Sequence, residues 1–211
     1  MITIGLTGGI ASGKSVVVKA FNEFGVPIFD ADVLARQLTE PGQPAWRETV
    51  AYFGESILAP DGGLDRLKLA GLIFADLEKR RALEGIVLPR MREYIDGQKP
   101  NLAQRGEKFL IVEGATIIEA NQVDFCDYLI VVHTDCNTQL QRLKERNGYT
   151  QEEAMARIRS QMPLEEKVKY ADFLIDNTGS LKETLRQVRD LHDKLREMVE
   201  SGRKTRNRTT Q

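Results

Sequence analysis

Gly8-Gly9-Ile10-Ala11-Ser12-Gly13-Lys14-Ser15 fits the pattern G-x-x-x-x-G-K-[ST], and it stands between an apolar run, Ile2 to Thr7, and a stretch of helical character. Small residues let successive backbone N–H groups curl around phosphate oxygens, and a helix starting here adds its positive N-terminal end. Lys14 then reaches the β- and γ-phosphates, and the Ser15 hydroxyl faces Mg²⁺. The segment assigns Gly9, Ile10, Ala11, Ser12, Gly13, Lys14, Ser15 and Val16 to a nucleotide cradle, with ATP the expected nucleotide. A glycine-rich turn that fits by chance is the plainer alternative; strand, spacing and helix together argue against it.

Outward from this loop the chain alternates short β-rich runs with helical stretches. The candidate strands are Ile2 to Thr7, Val26 to Phe29, Phe109 to Glu113, Tyr128 to His133 and Phe173 to Asp176. Runs such as Phe-Leu-Ile-Val and Tyr-Leu-Ile-Val-Val are apolar throughout, as strands are when helices cover both sheet faces. The expected fold is therefore α/β, a five-stranded parallel sheet of the P-loop nucleoside/nucleotide kinase type. Residues 1–32, 109–134 and 170–200 form its core. Residues 33–108 are too long and too helical for a crossover, and Pro41, Gly42, Pro44, Pro60, Asp61, Gly62 and Gly63 break them into several helices. They read as a helical insert over the acceptor. Residues 135–169 read as a mobile lid, with Asp135 capping one helix and Thr150 with Glu153 at capping-box spacing for the next. In the last helix, Leu181, Leu185, Val188, Leu191, Leu195 and Met198 form the expected core-facing stripe.

Among 211 residues, thirty basic and thirty-one acidic side chains leave a net charge of −1, so no global field recruits nucleic acid. The concentrated basic stretch, Ser201 to Gln211, has the composition of a solvated disordered tail. Cys126 and Cys136 form neither a disulfide framework nor a zinc pattern, which fits a reducing cytoplasm. Met1 to Thr7 lacks a basic leader, and no run reaches membrane-spanning length. The expectation is a cytoplasmic protein, monomeric or weakly self-associating, with no membrane partner.

A guanine-reading N-K-x-D string is absent, and Asp176-Asn177-Thr178-Gly179 reads as a turn after the last strand although it fits D-x-x-G. Length excludes a large motor ATPase, which leaves a small-molecule kinase. Phosphoryl transfer also needs a carboxylate that orients the acceptor hydroxyl and takes its proton. Asp30 and Asp32 follow the second strand, where alternation along an extended segment points both to one side, so spacing does not choose between them. The plainer alternative is a pair of helix-capping residues. Glu113 ends the third strand, either holding Mg²⁺ through water or solvated at a strand end. Arg142 and Arg146 share one face of the lid helix, with Arg157 and Arg159 on the next, and at least one is expected to face ATP. His133 and His192 read as structural.

Taken as a whole, the segments resemble the dephospho-CoA kinase family from Ile4 to about Leu195. Ile4 to Ser15 is similar to that family's opening, and Asp30-Ala31-Asp32 with Ala35-Arg36 to its acceptor-site segment. Glu40-Pro41-Gly42-Gln43-Pro44-Ala45, Asp61-Gly62, Leu64-Asp65-Arg66 and Ile73-Phe74-Ala75-Asp76 are similar to its CoA-binding insert. Gln139-Leu140, Arg142, Arg146, Ala154, Arg157-Ile158, Gln161-Met162, Ala171-Asp172 and Ile175-Asp176-Asn177 are similar to its lid and last strand. The resemblance implies transfer from ATP, with Mg²⁺, to the ribose 3′-hydroxyl of dephospho-CoA, completing coenzyme A synthesis. It implies Asp32 as base, Arg36 and Arg66 with Asp32 at the acceptor, Arg142 at ATP, and Ser15 with Glu113 at the metal.

The sequence departs from the family at Leu88-Pro89, where His-Pro is usual. It departs again at Glu113-Gly114-Ala115-Thr116-Ile117-Ile118-Glu119, where Asp-x-Pro-Leu-Leu-Phe-Glu is usual, and at Val16, where Thr is usual. A related P-loop kinase acting on another nucleoside or nucleotide is the alternative these changes raise. A nucleotide-binding regulatory module without turnover would be expected to lose Lys14 or Asp32, and both are present.

Overall fold

The structure is a computed structural model that describes residues 1–120 and 122–202. Of the expected basic tail, residues 203–211 lie outside the described residues. The elements are β1 (Ile2–Gly8), α1 (Lys14–Glu23), β2 (Ile28–Asp30), α2 (Ala31–Leu38), α3 (Pro44–Phe53), α4 (Arg66–Ala75), α5 (Leu77–Gln104), β3 (Phe109–Glu113), β4 (Tyr128–His133), α6 (Cys136–Asn147), α7 (Gln151–Arg159), α8 (Leu164–Val168), β5 (Phe173–Asp176) and α9 (Leu181–Glu200). Among the described residues the strands form one five-stranded sheet in the order β2-β3-β1-β4-β5. β1 runs parallel to both β3 and β4, and β4 parallel to β5.

Chain packing divides the molecule into two units: Met1–Phe29 with the chain from Leu102 onward, and Asp30–Asn101. In the first, successive β4 residues feed opposite sheet faces, as the pleat requires. Ile130 and Val132 join Ile4, Leu6, Val17, Phe21, Ile175, Val188 and Leu195 under α1 and α9. Leu129 and Val131 pack on the other face with Ile117 and Ile118, backed by Met162, Val168 and Ala171. Two-sided burial explains why β3 and β4 are apolar almost throughout.

Three local expectations change. β2 begins at Ile28, not Val26, although the Pro27 carbonyl already accepts the Ile111 N–H at 2.9 Å. Extended backbone stops at Asp30, and Asp32 lies in the first turn of α2, so alternation does not point the two carboxylates to one side. On α9 the buried stripe is Thr184, Val188, Leu191, His192 and Leu195, while Leu181 and Leu185 are exposed. Residues 100° apart on a helix rotate such a stripe quickly, and a small polar Thr184 was the position needed.

The caps form as expected: Asp135 accepts the Thr138 N–H at 2.9 Å, and Thr150 with Glu153 makes a capping box. A second capping box, Ser180 with Glu183, starts α9. Both histidines carry structural contacts. His192 stacks on Phe24 with ring centroids 4.7 Å apart, and His133 Nδ1 lies 4.0 Å from Asp176. The second unit has its own core, in which Ile57, Leu64 and Leu69 pack with Trp46, Val50, Phe53, Leu72 and Leu83. Trp46 pins the Pro60–Gly63 turn by donating its indole N–H to the Gly62 carbonyl at 3.1 Å.

Candidate active site

The loop between β1 and α1 is held by its carbonyls. Ala11 at φ 57° and Gly13 at φ 89° both take the left-handed conformation, which lets the chain curl before α1 begins. Ser12 N–H closes the turn onto the Gly9 carbonyl at 3.1 Å. Gln139 Nε2 donates to the Ile10 carbonyl at 2.7 Å, and the Ile10 N–H donates to Gln161 Oε1 at 2.7 Å. Arg142 Nη1 donates to the carbonyls of Ala11 and Ser12 at 3.2 and 3.3 Å, and its Nη2 to the Asn177 carbonyl at 2.8 Å. With these carbonyls anchored by side chains, the remaining N–H groups of the loop and the N-terminus of α1 are the groups an anion would meet.

Lys14, the first residue of α1, makes an ion pair with Glu113, the last of β3. Both side chains are mostly buried. Ser15 follows Lys14 and is exposed. Among the described residues no group of three His, Cys, Asp or Glu side chains forms a metal cage. A hydroxyl and one carboxylate are a hard but sparse donor set, which suits Mg²⁺, an ion that keeps waters and phosphate oxygens as ligands.

In the second unit, Asp30 Oδ1 accepts the N–H groups of Asp32 and Val33 at 2.8 and 2.9 Å, so Asp30 is the N-cap of α2. Asp32 is exposed. Arg66 Nη2 donates to the Arg36 carbonyl at 3.3 Å and to Thr39 Oγ1 at 3.0 Å, which brings together two guanidinium residues thirty positions apart. Desolvation first, and the Arg36 charge second, hold the Arg66 pKa below its ordinary value, with Glu40 acting the other way. Like charges gathered at one place attract an anion more than either alone. Leu88 sits half-buried within α5.

Of the other arginines on α6 and α7, Arg146 is exposed and bonds Asn147 Oδ1 at 2.9 Å, while Arg157 stacks over the Tyr149 ring at 3.9 Å. Lys167 drew no attention in the sequence. It is fully buried on α8, donating to the Ala115 carbonyl at 2.6 Å and pairing with Glu119 at 2.8 Å. The altered segment after β3 is thereby fixed at both its middle and its end, and its Ile117 and Ile118 serve the core. Gln139, Gln161 and Asn177 also gave no local signal of their loop-holding contacts, because each reaches across more than 120 positions of sequence.

A parallel β2-β3-β1-β4-β5 sheet with a phosphate cradle between its central strand and α1 defines a P-loop kinase. A shikimate kinase from Bacteroides thetaiotaomicron shares this fold with a TM-score of 0.50 at 16% identity, covering 92% of this chain and 98% of its own. The dephospho-CoA kinase family model matches residues 2–183, and the chain belongs to that family. A dephospho-CoA kinase from Listeria monocytogenes is 46% identical over 186 residues, 88% of this chain and 93% of the relative. One from Geobacillus kaustophilus is 45% identical over 187 residues, 89% and 93% of the two chains. Among solved structures, the dephospho-CoA kinase of Campylobacter jejuni has a TM-score of 0.63 at 26% identity, covering 95% of this chain and 98% of its own.

Proposed function

We propose that this chain transfers the γ-phosphoryl group of ATP to the ribose 3′-hydroxyl of dephospho-CoA, giving ADP and coenzyme A in the last step of CoA synthesis. The observation that carries this reading is the family match across residues 2–183, which takes in the phosphate cradle and the whole of the second unit. A new bond forms between the 3′-oxygen and the γ-phosphorus, the bond from that phosphorus to the β,γ-bridging oxygen breaks, and the hydroxyl proton leaves.

In this reading the nucleotide phosphates are held by N–H groups of the Gly9–Val16 segment other than those of Ile10, Ser12 and Val16, which bond Gln161, Gly9 and Gly13. Lys14 exchanges Glu113 for the β- and γ-oxygens, where charge builds as the phosphoryl group moves. Arg142 stiffens the cradle through its carbonyls and approaches ATP from α6. Asp32 orients the acceptor hydroxyl and takes its proton, a role that Asp30's commitment to capping supports by leaving Asp32 as the other carboxylate of the pair. Arg36 and Arg66 hold acceptor phosphate by charge-assisted hydrogen bonds. Ser15 and Glu113 would hold Mg²⁺, which when bound neutralises charge on the β- and γ-oxygens.

Residues 135–169 act as the lid over ATP in this reading, and residues 33–108 as the acceptor insert. A cytoplasmic setting belongs to this reading. Phosphorus NMR of the product tests the reaction: the new resonance should be that of a ribose 3′-monophosphate. A phosphate on any other oxygen would contradict it.

A further inference from the structure

Asp176-Asn177-Thr178-Gly179 has the form of a nucleotide-switch motif, yet the kinase reading leaves it without a task. The structure gives its second residue one. Asn177 is 5% exposed, and every polar group of it that the structure resolves is engaged. Its Nδ2 donates to the Ser12 carbonyl at 2.8 Å, its Oδ1 accepts the Thr184 hydroxyl at 2.7 Å, and its own carbonyl accepts Arg142 Nη2 at 2.8 Å. Its backbone N–H donates to the His133 carbonyl at 2.8 Å.

The amide also fits against Gly13 so closely that a Cβ there would stand 1.8 Å from Nδ2. Gly13 is thus required twice, by its positive φ and by the amide lying on it. Across a planar trans peptide the C=O and N–H point in opposite directions. By gripping the Ser12 oxygen, Asn177 therefore turns the Gly13 N–H away from itself, toward the concave side of the loop. Arg142 holds the same oxygen from α6; the Ser12 carbonyl, which can only accept, fixes which way the amide is flipped, and Thr184 then donates to the Oδ1 on its other side.

We infer that Asn177 is a positioning residue for phosphoryl transfer, setting the orientation of the Ser12–Gly13 peptide and so of the donor that meets the nucleotide phosphates. It touches no reacting atom. Its effect belongs to ATP and leaves the acceptor alone. The inference rests on the P-loop serving as the ATP-phosphate site.

The test compares Asn177→Ala and Thr184→Val with the parent in steady-state assays using ATP and dephospho-CoA, with thermal melts alongside. Asn177→Ala should lower kcat/KM for ATP on the order of ten- to a hundredfold, the range for a misplaced supporting contact. KM for dephospho-CoA should stay within about twofold. Thr184→Val keeps shape and removes only the hydroxyl that holds the amide by its Oδ1, so it should show the same split more weakly, and it decides the matter if Asn177→Ala does not fold. Asn177→Ser, which restores a short donor, should recover part of the loss. Variants that melt earlier but keep parent values of kcat and of both KM terms would overturn the proposal, as would equal losses for both substrates. Lys14→Ala in the same series separates the two failures. If it is inactive while Asn177→Ala is normal, only the positioning role falls; if it too is normal, the P-loop reading falls first.

Discussion

Lys14 and Glu113 form an ion pair that ties the first residue of α1 to the last residue of β3. The carboxylate thereby marks where the ammonium is held, and a triphosphate competing for Lys14 must displace it. Lys14→Ala should cost on the order of 10² or more in kcat/KM for ATP, the scale of losing one strong transition-state donor. Part of the loss should fall on kcat, because the contact strengthens as charge moves. Steady-state kinetics checks this; turnover within about tenfold of the parent would remove Lys14 from the mechanism.

The two carboxylates after β2 should separate cleanly. Asp32→Asn keeps size but removes the proposed base, so kcat should collapse while ATP affinity survives. Asp30→Asn preserves a good N-cap and should leave kcat near the parent value. Asp30→Ala should instead lower stability by about 0.5–2 kcal/mol, the usual cost of losing an N-cap. Denaturant melts together with kcat for the three variants read this directly, and a larger kcat loss at Asp30→Asn than at Asp32→Asn would reverse the assignment.

That separation shows what sequence could and could not deliver here. β3 and β4 were legible to the residue because unbroken apolar runs leave little freedom in a sheet covered on both faces, and β5 was legible although its Leu174 is exposed. The loop at Gly8–Ser15 was legible because its spacing is a geometric requirement of wrapping a phosphate. Asp30 against Asp32 was not, since one residue's difference in where β2 ends and α2 begins decides whether a carboxylate caps or projects. The ring of Gln139, Gln161, Arg142 and Asn177 around the loop was invisible for another reason. Side chains that bond distant backbone groups, carbonyls for Gln139, Arg142 and Asn177 and an N–H for Gln161, leave no periodicity or spacing behind.

Stability should depend on pH through Asp135, whose pKa is depressed by hydrogen bonds from the Thr138 hydroxyl first and the Thr138 backbone N–H second. A depressed folded-state pKa adds stability that is full above the unfolded value, about 3.9 for Asp, and is lost as pH falls through the folded value. Asp135→Asn should therefore melt earlier than the parent near neutral pH, with the gap closing as the medium becomes strongly acidic. A gap that stays constant across that range would show that charge plays no part in this cap.

Leu88, half-buried in α5, stands where the resemblance drawn from the sequence leads one to expect His. A His can donate a charge-assisted bond to an acceptor phosphate, worth roughly 1.5–3 kcal/mol, and Leu cannot. Leu88→His should lower KM for dephospho-CoA and leave KM for ATP alone. An unchanged KM for dephospho-CoA in a folded Leu88→His variant would separate this position from acceptor binding.

Coupled ADP release with dephospho-CoA, run beside adenosine, AMP and pantetheine derivatives, tests acceptor choice and phosphoryl transfer together. The highest kcat/KM should fall to dephospho-CoA, with ADP and coenzyme A formed in equal amounts and with strict dependence on a divalent cation. Efficient phosphorylation of another nucleoside or nucleotide with dephospho-CoA left untouched would contradict the assignment.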